Sequence, residues 1–225
     1  MSDFIHEATI TGGSGSVGAA LVELLRSDGW KVHAPSHETM NVRDARAVRN
    51  FMDATNPELL VCAAGITRDD LLPKLTESAW QETWEVNFRG ALDCARAVLP
   101  GMIRRGAGHV VFLSSHSAIH PPAGQAAYAA AKAALIGLTA DLASLHGPSN
   151  IRVNAVLPGF LETRMTAAVT PKRRDQVLQD HVLGRFNSCR EVAAFIRFPH
   201  LELPHTSGQV FQLDSRPQDG RPHFP

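Results

Sequence analysis

Short, almost continuously apolar runs alternate along this chain with longer stretches whose apolar positions recur every three or four residues. The short runs, at positions 4–11, 31–34, 59–63, 109–113, 151–157 and 209–213, have the character of strands buried on both faces. Between most of them lie helical patterns at 17–27, 45–54, 77–105, 125–146, 171–181 and 190–198, the third interrupted near Asn87. Strands alternating with helices predict an α/β fold with a doubly wound parallel sheet covered on both faces. One step is too short: about five residues separate the run at 31–34 from the segment "MNVRD", whereas a parallel crossover needs about a dozen or more. The third βαβ step is therefore expected to be truncated, leaving at most a short extended piece at 40–42 and an unusually bare sheet edge. A single domain over 1–213 is expected, followed by a tail, 214–225, too rich in proline to continue a helix or a central strand.

Composition narrows the class. With 225 residues, 44% of them hydrophobic, the chain can bury a full core. Its 22 basic and 22 acidic residues leave no net field to attract nucleic acid or an anionic membrane. No stretch of about 18 apolar residues suggests a membrane span, and the N-terminus lacks the charged and apolar regions of a secretion signal. A soluble, cytoplasmic protein is expected. Cys62, Cys94 and Cys189 form neither a close pair nor an even set, which fits reduced thiols.

Two features carry chemistry. The segment "ITGGSGSVG", positions 10–18, follows the first strand and opens the first helix, where glycines permit a tight turn and free helix N–H groups attract a pyrophosphate. Gly12, Ser14, Gly15, Ser16, Val17 and Gly18 are the candidate phosphate contacts. Further on, "QAAYAAAKAAL" sets Tyr128, the single tyrosine, and Lys132 one helical turn apart on one face. A phenol titrates near ~10, so a nearby cation is the means of making it useful for proton transfer at neutral pH. Ser114 and Ser115 end a predicted strand thirteen residues before Tyr128.

These motifs, with "CAAG" at 62–65, Asn87 in "VNFRG", "VVFLSS" and "VNAVLPGFLETRMT" at 153–166, resemble the short-chain dehydrogenase/reductase family, and within it the 3-oxoacyl-[acyl-carrier-protein] reductases. The resemblance runs from about position 10 to about 213. It implies a Rossmann-type fold and hydride transfer between a nicotinamide cofactor and a carbonyl, with Tyr128 as proton donor. Ser115 would hold and polarise the carbonyl oxygen. Lys132 would lower the phenol's pKa and bind the nicotinamide ribose, and Asn87 would orient a water linking Lys132 to solvent. Ala63, Ala64 and Gly65 would approach the adenosine ribose, Asp44 the adenine amine, and Pro158, Gly159 and Thr163 the nicotinamide side. At the end of the second strand Ser36 and His37 stand where relatives that prefer NAD carry an acid, so NADP(H) is favoured over NAD(H).

The resemblance also implies partners. An acyl-carrier-protein thioester is the leading substrate, and Arg104 and Arg105 are either carrier-docking cations beside the active-site mouth or C-terminal helix charges favoured by the dipole. A small free ketone, a sugar or polyketide intermediate, or a cofactor-binding relative with a regulatory role are the alternatives. Pairing of the helices at 77–105 and 125–146 about a two-fold axis would give a homodimer or homotetramer. Departures from the family pattern are Ser16 in place of a glycine, the lost asparagines of "CAAG", and Asp214-Ser215-Arg216 in place of Asp-Gly-Gly. Among eleven histidines, His116 and His120 are four apart, but prolines follow and no carboxylate or thiolate cluster accompanies them. No metal is expected, and His116 is read as a pocket wall.

Overall fold

The structure, a computed structural model, describes residues 6–217. Six strands form one parallel sheet: β1 (Glu7–Thr11), β2 (Lys31–His33), β3 (Leu59–Cys62), β4 (Gly108–Leu113), β5 (Ile151–Leu157) and β6 (Val210–Gln212), in the order β2-β1-β3-β4-β5-β6. Positions 4 and 5 of the first expected strand and 218–225 of the tail lie outside the described residues. The helices are α1 (Ser16–Ser27), α2 (Ala45–Thr55), α3 (Glu77–Trp84), α4 (Gly90–Arg105), α5 (Ala126–His146), α6 (Pro171–Gln179) and α7 (Cys189–Glu202). Between α3 and α4 the backbone widens into a π-turn, Glu85–Arg89, centred on Asn87 where the sequence pattern breaks.

Alternation of side chains along each strand divides the core into two layers. Leu60, Cys62, Val110 and Phe112 face α2, α4 and α5, while Leu59, Val61, Val111 and Leu113 face α1 and α7. Both layers are built of buried apolar side chains. Strand direction reverses its spread at β1, whose neighbours β2 and β3 lie on opposite sides, so a crevice opens beyond the carboxyl ends of β1 and β3.

The truncated step is as the residue count requires. Residues 34–44 contain neither strand nor helix, and β2 forms the sheet edge with three residues. Val42 from this bare segment packs directly on α4, with its Cβ 2.8 Å from where a Cβ on Gly90 would lie. At the other end α7 runs past Pro199, beyond its expected limit at 198. Its start is held by a capping box of Ser188 and Glu191. Arg152 holds its end by donating to the carbonyls of Pro199, His200 and Leu203.

Two expectations change. Helix α5 belongs to an apolar stretch, Ala126–Ser149, long enough to cross a membrane by length and composition alone. It packs against β5 and α3 and buries Lys132 and Thr139, as a core helix does. Cys62 and Cys94, distant in sequence, lie together in one core cluster as free thiols, and the neighbouring Cys94 together with burial pushes the Cys62 thiol well up.

A helical glycine ordinarily costs about 1 kcal/mol relative to alanine. At Gly90 the sign should reverse, because the added methyl would meet the Val42 side chain at 2.8 Å and its carbonyl oxygen at 3.0 Å. Gly90→Ala is expected to lower the unfolding free energy in urea by about 1–3 kcal/mol, the usual cost of overpacking. A stabilised variant would show that the 40–43 segment does not bear on α4.

Candidate active site

A cleft of about 1560 Å³ opens across the carboxyl ends of the strands. Its floor begins where β1 ends. Thr11 Oγ1 accepts hydrogen bonds from the N–H groups of Ala63 (3.1 Å) and Ala64 (3.2 Å), joining the end of β1 to that of β3. A threonine thus supplies the strand tie that the missing asparagines of "CAAG" would otherwise make. Gly12 turns with φ +68°, and a Cβ there would lie 2.7 Å from Ala64 N. Gly18 is tighter still: its Cβ would stand 2.3 Å from Gly12 O, so only glycine lets α1 pack beneath the loop. Gly15 caps α1 without a side chain, and no acid occupies the first turn. The first-turn N–H groups and the positive end of the helix dipole form an anion site. Ser16, where relatives have glycine, is simply the first residue of the helix.

The reactive groups come from β4 and α5. Ser115 follows β4 in extended conformation, its side chain accepts from Ser117 N at 3.1 Å, and it stands close enough to Tyr128 to bias the phenol's titration. Ser114 faces inward and donates to Lys132 O at 2.8 Å, which makes it structural. Tyr128 lies in the first turn of α5, and Lys132 Nζ, one turn on, is 5.7 Å from the centre of its ring. That ammonium is buried and donates to Leu113 O at 2.7 Å. Asn87 reaches in from the π-turn, with Nδ2 donating to Ile66 O and Thr83 O, both at 2.8 Å. Its Oδ1 is buried and has no partner among the described residues. A Cβ on Gly65 would lie 2.7 Å from that oxygen and 3.6 Å from Lys132 Nζ, so Gly65 is the gap through which the two polar groups face the cleft.

Burial governs the electrostatics. It raises the Tyr128 pKa above its usual value of 10.0, a rise opposed by the Ser115 hydrogen bond and reinforced by the charge of Asp69. Burial also pulls Lys132 down to about 8. Desolvation dominates the phenol's titration, while the Lys132 ammonium is directed at the Leu113 carbonyl. His116 lines the cleft and is pushed down to about 4, first by burial and then by the nearby Arg216 guanidinium, so it is neutral near pH 7.

Most expected cofactor contacts meet at the cleft: Gly12, Ser14, Gly15, Ser16, Val17 and Gly18, then His37, Ala63, Ala64 and Gly65, and opposite them Pro158, Gly159 and Thr163. Two do not. Ser36 turns to Glu38 and Thr39, and Asp44 caps α2 by accepting from Arg46 N (2.9 Å) and Ala47 N (3.1 Å). Asn41, Val42 and Arg43 line that side instead. Of the two readings of Arg104 and Arg105, the structure supports helix-end charges rather than cleft-side docking cations. They end α4, at the amino end of β4 and so opposite the cleft, and Arg105 is bonded to Asn56 and Pro57. Two further residues were not foreseen. Arg164 braces the phosphate loop by donating to Ser14 O at 2.9 Å, and Arg216 lines the cleft while paired with the buried Asp214. Residues 214–217, assigned to the tail, thus pack at the site; no local signal in the sequence marks either arginine.

The profile of the family described as short chain dehydrogenase matches residues 37–174. The 3-oxoacyl-[acyl-carrier-protein] reductase of Thermotoga maritima is 42% identical over 181 residues, 78% of this chain and 74% of that one. The chain belongs to the short-chain dehydrogenase family. Acetoacetyl-CoA reductase of Synechocystis is a further relative, 33% identical over 91% of this chain and 93% of its own. A crystal structure of a short-chain dehydrogenase/reductase from Burkholderia thailandensis superposes with a TM-score of 0.87 over 94% of this chain and 92% of that one, at 24% identity, and shows the shared fold. As a short-chain dehydrogenase the chain is an NAD(P)-dependent oxidoreductase. The bare N-terminus of α1, the glycine cradle and the partnerless Asn87 oxygen all fit a dinucleotide held along this cleft.

Gly18→Ala tests the cradle. Its methyl must displace the Gly12 carbonyl, 2.3 Å away, and so is expected to weaken binding of the reduced nicotinamide dinucleotide, NADH or NADPH, at least about tenfold, roughly 1.4 kcal/mol, in a fluorescence titration. Unchanged affinity would remove the loop from the binding site.

Proposed function

We propose that this short-chain dehydrogenase is an NADP(H)-dependent reductase of 3-oxoacyl thioesters, with acyl carrier protein as the carrier. The observation that carries the reading is the meeting of Ser115, Tyr128 and Lys132 at one cleft, with Lys132 buried and Asn87 beside it. When bound, the nicotinamide supplies a hydride to the carbonyl carbon. Tyr128 donates its hydroxyl proton to the carbonyl oxygen, and Ser115 Oγ donates a hydrogen bond to that oxygen as negative charge gathers on it. The raised pKa keeps the phenol protonated across neutral pH, the form a proton donor needs. Lys132 would hold the nicotinamide ribose and offset the phenolate left after transfer. Asn87 Oδ1 would accept from the group that returns the proton from solvent.

Ile119, Phe160, Leu161, Met165 and Val169 give the substrate side an apolar wall suited to an acyl chain. NADP(H) is preferred because the segment after β2 sends Pro35 and His37 into the cleft and no carboxylate, leaving a 2′-phosphate unopposed. The position of Arg104 and Arg105 away from the cleft favours a second reading, in which the thioester or a small ketone arrives without a carrier protein. We place the protein in the cytoplasm as a homodimer or homotetramer joined through α4 and α5; a monomer in light scattering at micromolar concentration would oppose that assembly.

Steady-state rates with a short 3-oxoacyl thioester test the reading. NADPH should support higher kcat/KM than NADH, and the carrier-bound substrate a lower KM than the free thioester. Tyr128→Phe should lower kcat by roughly 10²–10⁴-fold with little change in cofactor affinity. Turnover within a factor of two of the parent would dismiss Tyr128 as the donor, and a preference for NADH would reverse the cofactor assignment.

A further inference from the structure

The amino ends of the strands, opposite the cleft, hold a second cluster of polar groups that the reductase chemistry does not use. His6 precedes β1, Glu58 precedes β3, and His200 lies in the last turn of α7. Their potential ligand atoms all fall within 4.8 Å of one another. His6 Nδ1 contacts Glu58 Oε1, and His200 Nε2 faces the same oxygen at 3.8 Å. We propose that His6, Glu58 and His200 form a binding site for a divalent first-row transition metal, with Zn²⁺ the leading candidate.

Two imidazoles and one carboxylate are a donor set suited to zinc and its neighbours rather than to magnesium or calcium, which take oxygen. Tetrahedral zinc with bonds of about 2.0–2.1 Å sets its ligand atoms roughly 3.3 Å apart, so a separation at the 4.8 Å limit needs to close by roughly 1.5 Å. The rings are already held in place. Trp30 stacks on His6 with centroids 4.6 Å apart and meets His200 edge-on at 5.1 Å, while His109 lies parallel to His200 at 5.5 Å. Arg152 fixes the helix end that carries His200 through three carbonyl bonds. The His200 side chain is 9% exposed, Glu58 17% and His6 41%, so the cluster has a buried wall and an open side for entry and for a water ligand. Bound there, a metal would staple the segment before β1 to β3 and to the last helix. It would act on stability, because the reactive groups lie at the other end of the sheet.

The test uses the full chain stripped with a chelator and titrated with Zn²⁺ by calorimetry. One saturable site per chain is expected, with affinity falling at least about tenfold in Glu58→Gln and in His200→Ala. His120→Ala, which removes a histidine of the cleft-side pair, should leave it unchanged. At a hundredfold excess over the dissociation constant, Zn²⁺ should raise Tm by roughly 5–10 °C in the parent and much less in the variants. Circular dichroism checks folding, and His6→Ala, at the open side, serves if His200→Ala does not fold. Absence of saturable binding, or binding that survives both Glu58→Gln and His6→Ala, would overturn the proposal.

Discussion

Burial of the Lys132 ammonium at the carboxyl end of β4 is the constraint on which the site depends. The side chain spans from α5 to the strand end, donating to Leu113 O, while Ser114 clamps the backbone of the same residue by donating to Lys132 O. Those two bonds fix the register of α5 against β4, and with it the meeting of Tyr128 and Ser115. The same ammonium sits behind Gly65 with the Asn87 oxygen, so the π-turn between α3 and α4 is part of the arrangement. Taking a cation out of water is costly, and the depressed pKa of about 8 measures that cost. The unfolded chain holds this proton up to about 10.5, so the destabilisation is fully present below pH 8 and fades as pH rises between the two values.

The two ends of the sheet do different work. At the carboxyl ends the backbone turns sharply and leaves helix N–H groups, a phenol and an ammonium facing a cleft. At the amino ends the side chains close the structure: Arg105 bonds to the turn after α2, Arg152 to the end of α7, and Glu58 to two imidazoles. This division explains why arginines next to β4 and β5 in sequence take no part in the cleft.

Much of this was legible in the sequence, for physical reasons. The four central strands, buried on both faces, are continuously apolar and stood out, the partly exposed edge strands β2 and β6 showed as short apolar runs, and counting residues between β2 and "MNVRD" exposed the missing crossover. Tyr128, Lys132 and the glycine loop were legible because each lies within one element. Contacts made by folding were not. The turn of Ser36 away from the cleft, the capping role of Asp44 and the strand tie from Thr11 depend on local geometry that residue type alone leaves open. The approach of Cys62 to Cys94, and of His6 to Glu58 across 52 residues, is set only by the sheet order. The phenol's raised pKa was missed because the sequence supplies the neighbouring cation but not the desolvation that outweighs it.

The most direct test of this account is the titration of Lys132 itself. Nuclear magnetic resonance of the ε-carbon-labelled chain without cofactor, with the Lys132 signal assigned by its loss in Lys132→Arg, reads its protonation alone. A midpoint near about 8 is the predicted result. A midpoint at the ordinary 10.5 would mean that the ammonium is hydrated and that its burial does not organise the site.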